Sequence, residues 1–241
     1  LTGEGVMFST VEALWLDFPE QSFWRYSPDQ LRWLTHAIIA SGRPGKPLIA
    51  VRSVGQDGTR EIFVRMQDQD GIFATIASTL DRMDLSVIAA RVMTCKSGLT
   101  LDTFQVLDLR KEAQDAMTRN QEIQMALTMA LSERPLKPKL ARRRSTREER
   151  LFRFPPHIEF EQRAGENATQ LMLVCPDRPG LLASVAHAFR DAGVRVQSAR
   201  IATFGERAED FFAVAGLSGE ALSEGERERL HQALSARLET Q

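Results

Sequence analysis

The segment with the most chemistry per residue is Cys175-Pro176-Asp177-Arg178-Pro179-Gly180-Leu181-Leu182. It reads as a strand running into a helix through a tight corner. The Asp177 carboxylate can accept backbone N–H bonds at a helix start. Pro179 has no N–H to lose and suits the first helical turn. Gly180 carries no side chain, so another molecule can approach the backbone there. Bare N–H groups at the positive end of a helix suit a ligand with a carboxylate. The same pattern also describes a capped helix with a tight turn and no ligand. A weaker copy stands upstream at Asp68-Gln69-Asp70-Gly71-Ile72-Phe73, which keeps the Asp and the Gly but lacks the Arg-Pro pair.

Other chemistries find little support. His36, His157, His187 and His231 lie far apart with no metal-ligand spacing, so no metal site is expected. His187 falls inside a helical pattern and reads as a packed or solvated side chain rather than a ligand. No Ser–His or Cys–His pair with an orienting acid is visible, so no catalytic residue is assigned. Cys95 and Cys175 cannot form a disulfide scaffold, which fits a reduced, cytoplasmic setting. The formal net charge of -1 supplies no global basic field, and no apolar run is long enough for a membrane span. The exception is local: nine Lys or Arg fall between Arg134 and Arg153, opposed by Glu148 and Glu149 alone. That stretch reads as a solvated tether or as a surface for phosphates or an acidic partner. No aromatic residues interleave with it for base stacking, so a nucleic-acid partner is not expected.

The elements that position the two corners follow from an internal repeat. Glu61–Val106 aligns with Gln170–Val214, placing Asp68 on Asp177, Gly71 on Gly180, Ala77 on Ala186, Arg91 on Arg200 and Thr94 on Thr203. One extra residue in the first hairpin then brings Asp102 onto Asp210. In each copy a short apolar run (62–66, 171–175) predicts a strand, and apolar residues at helical spacing after the Gly predict an amphipathic helix. Extended runs follow at 86–94 and 194–203, then turns at Lys96-Ser97-Gly98 and Gly205-Glu206-Arg207. Strands at 101–107 and 210–214 and helices at 112–131 and 223–238 complete each copy. The order β-α-β-β-α is one strand short of a ferredoxin-like β-α-β-β-α-β unit. His157–Glu161 could return to the first sheet as the missing strand, and Leu48–Val54 is an extra strand for an open edge. Ser27-Pro28-Asp29-Gln30 predicts a helix start, with the helix continuing to Ala40. The expected layout is a helical segment over 1–46, a first module over 47–133, a basic linker over 134–156 and a second module over 157–241. The fold class is α+β. The start at Leu1, with no initiator Met, suggests a piece of a longer protein.

Asp177-Arg178-Pro179-Gly180-Leu181-Leu182, followed by Ala199-Arg200-Ile201-Ala202-Thr203-Phe204-Gly205-Glu206-Arg207 and Asp210-Phe211-Phe212, resembles an ACT domain. More narrowly, it is similar to the second ACT domain of the bifunctional uridylyltransferase/uridylyl-removing enzyme family. Asp17-Phe18-Pro19, Phe23-Trp24-Arg25-Tyr26-Ser27-Pro28 and Phe154-Pro155-Pro156-His157 resemble connecting segments of that family. The resemblance implies two ferredoxin-like ACT domains that pair within a chain or between chains. It also implies a glutamine effector, and a parent enzyme that uses UTP with Mg2+ or Mn2+ on the PII protein. The family's transferase signature and His-Asp dipeptide are missing from this sequence, so the catalytic domains would lie elsewhere. The implied amino-acid site comprises Asp177, Arg178, Gly180, Leu181, Leu182, Arg200, Ile201 and Thr203, with Asp68, Asp70, Gly71 and Ile72 in the first copy. Arg200–Thr203 are expected to complete the pocket from a facing module. The competing expectation is a free-standing tandem-ACT regulator that acts through protein or RNA contacts.

Overall fold

The computed structural model describes residues 7–41, 45–55, 57–110, 115–140, 154–163, 165–204 and 206–239. Three helices, α1 (Phe8–Asp17), α2 (Ser22–Arg25) and α3 (Pro28–Ser41), precede the repeats. The first repeat runs β1 (Leu48–Ser53), β2 (Thr59–Arg65), α4 (Ile72–Arg82), β3 (Leu85–Arg91), β4 (Asp102–Asp108) and α5 (Ala116–Ser132). The second runs β5 (His157–Gln162), β6 (Thr169–Pro176), α6 (Leu181–Asp191), β7 (Val194–Arg200), β8 (Thr203–Phe204), β9 (Arg207–Gly216) and α7 (Glu224–Glu239). The start of α3 is a reciprocal capping box: the Gln30 N–H donates to Ser27 Oγ at 3.2 Å, and the Ser27 N–H donates to Gln30 Oε1 at 3.0 Å. Residues 112–114 of the helix expected from 112, Gly205 of the second turn and residues 141–153 of the basic stretch lie outside the described residues.

The strands join into one antiparallel sheet in the order β1-β2-β4-β3-β7-β9-β6-β5, with β8 paired to β9. This corrects one expectation. His157–Gln162 does not return to the first module; it pairs with β6, with His157 opposite Val174 and Gln162 opposite Thr169. Its alternation explains the choice. Ile158 and Phe160 pack on the core of the helix-covered face, while His157, Glu159 and Glu161 are exposed. β1 pairs with β2 in the same way. Each repeat therefore takes its edge strand from the residues before it, and no strand is needed after α5 or α7.

The repeats meet about a pseudo-two-fold axis, visible in contacts between equivalent residues. Ser78 Oγ lies 3.1 Å from His187 Nε2, two residues separated by the repeat offset of 109 positions. The single β3–β7 ladder pair, Ala90 opposite Ala199, joins another equivalent pair. Ala74 and Ala77 of α4 pack with Ala183 and Ala186 of α6 in a separate small cluster. A register shift lies between Val87 and Ala89 in β3 and is repeated between Val196 and Ser198 in β7. Bulges re-aim the residues beside them, here next to the seam.

α1–α3 distinguish the halves. They cover the face of the first sheet opposite α4 and α5, where Phe18, Tyr26, Leu31 and Leu34 enclose Phe63, Met93 and Leu101. Tyr26 anchors the cover by donating to the Leu101 carbonyl at 3.1 Å. Asp17 ties α1 to the first hairpin, accepting from the Ser97 N–H at 2.7 Å and from Arg65 Nη2 at 2.8 Å. All seven residues of β2 are consequently buried. In β6 the counterpart of Phe63 is Met172, which is half-buried, and nearby Phe211 is 44% exposed.

Two outcomes follow. Phe63→Ala should destabilise the chain by about 3–5 kcal/mol, whereas Met172→Ala should cost under about 2 kcal/mol, because only the former opens a cavity between two packed layers. Urea denaturation of the pair checks this. His187 is held down at about 4 by burial first and then by Arg190 and Arg237. An unfolded histidine takes its proton near 6.5. The unfolded state therefore binds more protons between those values, and His187 withdraws stability as pH falls from about 6.5 toward 4. Replacing it by Gln, which can still bond Ser78, should make the stability–pH slope over that window shallower by up to about one proton.

Candidate functional site

Both corners form as strand–turn–helix junctions with the same internal bonds. The Asp177 N–H donates to the Glu206 carbonyl at 2.8 Å, and the Asp68 N–H donates to the Gly98 carbonyl at 3.0 Å. Each corner Asp is thereby tethered to its own hairpin. Gly180 and Gly71 occupy the N-caps of α6 and α4 with φ of 77° and 87°, left-handed conformations that disfavour a β-carbon. Neither brings a side-chain acceptor to its helix start. At Gly180 the close neighbour belongs to the other repeat: an added β-carbon would stand 3.1 Å from Asp81 Oδ2.

Each corner opens on a cavity that the opposite repeat closes. The second corner borders about 220 Å³. Asp177, Arg178, Gly180, Leu181, Leu182, Ile201 and Thr203 line it from their own repeat, and Asp81 and Asp84–Val87 line it from the first. The first corner borders about 420 Å³. Asp68, Asp70, Gly71 and Ile72 line it, facing Arg190 and Gly193–Gln197 of the second repeat. The expectation that Arg200–Thr203 would close a pocket from a facing module is corrected. Ile201 and Thr203 lie on the same repeat as the corner they line, and Arg200 is exposed and away from it. The facing residues are the first turns of β3 and β7, because the two-fold axis runs between those strands and sets each strand start against the other repeat's corner.

The sequence reading did not assign the carboxyls beneath the corners. Asp102 and Asp210 occupy equivalent positions on β4 and β9, point to the helix-covered face and are each 1% exposed. Each takes a backbone N–H from the residue two past the preceding strand: Met93 to Asp102 Oδ1 at 3.2 Å, and Ala202 to Asp210. Burial pushes Asp102 well above the usual carboxylate range, with Asp68 adding to the rise. Burial pushes Asp210 up to about 7, with Asp177 adding to it and the Ala202 N–H opposing. An acid retained at the same register in both repeats, flanked by residues of apolar strands, was the available signal. Arg178 also has a structural task, donating from Nη2 to the Arg237 carbonyl at 3.0 Å near the end of α7.

The two corners differ in charge at equivalent positions. Asp81 stands over Gly180, while its counterpart Arg190 stands over Gly71. Asp70 at the first corner pairs with Arg195 across the seam at 2.9 Å; the pair is about half exposed and weak. Pro179 and Ser86, their counterparts, cannot pair. Among the described residues no group of three or more His, Cys, Asp or Glu is placed to hold a metal ion, and no helix is long and apolar enough to cross a membrane.

The strand–corner–helix arrangement is shared with a known family, whose profile matches residues 169–231. The second repeat is an ACT domain. Among curated relatives, the bifunctional uridylyltransferase/uridylyl-removing enzyme of Xanthomonas axonopodis pv. citri (strain 306) is 39% identical over 95% of this chain. The protein of the same name from Vibrio parahaemolyticus serotype O3:K6 (strain RIMD 2210633) is 35% identical over 99%. The chain spans 26% and 27% of their lengths. The aspartate kinase structure from Synechocystis aligns with 78% of this chain and 28% of its own, at 16% identity and a TM-score of 0.44. The first repeat has the same strand order and the same corner as the ACT domain, so the α+β class and the tandem ferredoxin-like arrangement hold across the chain.

A within-chain comparison tests the corner geometry. Gly71→Ala should destabilise by about 1–2 kcal/mol from left-handed strain alone. Gly180→Ala should cost more, since its β-carbon also crowds the Asp81 carboxylate. Thermal denaturation of the two variants side by side reads the difference.

Proposed function

We propose that this chain is the amino-acid-sensing regulatory region of a bifunctional uridylyltransferase/uridylyl-removing enzyme, and that its effector is glutamine. The observation that carries the reading is the closure of each corner cavity by the opposite repeat. A ligand seated there touches both modules, so its affinity depends on how they are arranged. An effector shifts an equilibrium only by its differential affinity for the two states, and about 1–3 kcal/mol of coupling gives a usable switch. The α-carboxylate of glutamine would meet the backbone amides near Gly180–Leu182, and its ammonium would meet the carboxyl side of the same corner. The family supports the rest. The parent would use UTP with Mg2+ or Mn2+ in domains outside this chain, and PII would be its substrate. Glutamine would favour removal of the uridylyl group, and its absence would favour transfer.

Isothermal calorimetry of the chain with glutamine should give a saturable heat, and Asp177→Ala should weaken binding by tenfold or more, the loss of about one charge-assisted hydrogen bond. In the parent enzyme the same substitution should blunt the glutamine-dependent shift from transfer to removal. Absence of any heat with glutamine would overturn the reading.

A further inference from the structure

Asp210 is buried to 1% exposure and lines the second cavity. The Ala202 N–H satisfies part of its carboxyl, yet Oδ1 is buried with no hydrogen-bond partner. A buried polar atom is seldom left unmatched, so its place in a residue that lines the cavity points to a ligand atom that completes it. Its counterpart Asp102 carries no such orphan, and the Met93 N–H donates to its Oδ1 at 3.2 Å. The surroundings set the chemistry of the partner. Asp177 faces Asp210 from the corner, Asp81 and Asp84 line the cavity from the first repeat, and the Cys175 thiol, pushed up to about 12 by burial and then by Asp210, stays neutral beside it. Among the described residues that line this cavity Arg178 is the cation, and it donates to the Arg237 carbonyl near the end of α7. The unmatched Oδ1 at this wall takes a hydrogen-bond donor, and on the amino-acid reading of the corner that donor is the ligand's ammonium.

We propose that Asp210 is the residue that receives a ligand's primary ammonium at the second corner, its Oδ1 accepting one N–H while Asp177 holds the other side, and that binding is thereby coupled to release of a proton. This rests on the amino-acid reading of the corner and names the determinant of specificity within it. With its carboxyl held near 7, Asp210 is about half protonated at neutral pH. An ammonium must meet it as a carboxylate. The O–H bond of the acid therefore breaks, the proton passes to buffer, and an N–H···O bond to the ligand takes its place. The ligand's own ammonium stays charged over this range, so the linked proton comes from the protein.

The test is calorimetry on the whole chain with glutamine between pH 6 and pH 8, in two buffers of different ionisation enthalpy. Affinity should be roughly tenfold weaker at pH 6 than at pH 8, with close to one proton released per glutamine at pH 6 and little at pH 8, as expected for one linked group titrating near 7. Asp210→Asn, which keeps shape and removes the titration, should bind more weakly and lose this pH dependence. Glutaramate, which lacks only the ammonium, should release no proton. Three results would overturn the proposal: glutamine binding that is flat with pH, an Asn variant that keeps wild-type affinity and proton release, or the same proton release with glutaramate. If the Asn variant fails to fold, the proton count on the wild-type chain still decides. Absence of glutamine binding at every pH is a separate result, and it removes the amino-acid reading itself.

Discussion

Four alanines, Ala74 and Ala77 on α4 and Ala183 and Ala186 on α6, let two helices approach closely across the axis that relates the repeats. Ala90 and Ala199 do the same for the two sheet edges below them. Everything proposed for the chain depends on that approach. Longer side chains at these positions would push α4 away from α6, and with them the corners that begin those helices. Each cavity owes one wall to the neighbouring repeat, so separating the repeats would open both cavities to solvent. The strands at the seam share a single ladder pair, and the helix pair above them joins the repeats a second time.

Duplication within one chain has a consequence that a symmetric dimer of identical modules lacks. In a two-fold homodimer the two corners are the same by construction. Here equivalent positions have diverged: Asp81 against Arg190, Asp70 against Pro179, Arg195 against Ser86. The first corner has gained cations from its partner repeat and the second has gained acids. The covalent link permits one corner to specialise in a cationic group while the other keeps a balanced pair of charges. The helices before the first repeat add a second asymmetry. They bury the back of one sheet and leave Phe211 and Phe204 exposed on the other, at 44% and 64%.

Much of this was legible in the residues. The spacing of Asp, Gly and apolar positions placed both corners and both amphipathic helices, because a strand–turn–helix junction constrains each of those types locally. The Ser27–Gln30 box gave the start of α3 for the same reason. The edge strands were harder. His157–Gln162 has no local feature that says which sheet it joins; the choice between returning to the first module and opening the second depends on the faces that Ile158 and Phe160 find. The closing walls were harder still. Nothing in residues 84–87 or 193–197 announces a ligand-facing role, since that role comes from the axis between the repeats and not from their own sequence.

Asp102 and Asp210 show where a repeat carries information that a motif does not. An acid in an apolar strand is disfavoured in any single copy, because burial raises the free energy of its charged form. Finding it at the same register twice means the fold tolerates that penalty twice. The structure gives each carboxyl the same partial compensation, a backbone N–H from the residue two past the preceding strand. The two then part ways. Asp102 has no unmatched buried oxygen, whereas Asp210, which lines the second cavity, keeps a buried Oδ1 without a partner. The copy with the unmatched oxygen lies on the side where the facing repeat contributes Asp81 and Asp84 to the cavity, so the two corners differ both in their walls and in the carboxyl beneath them.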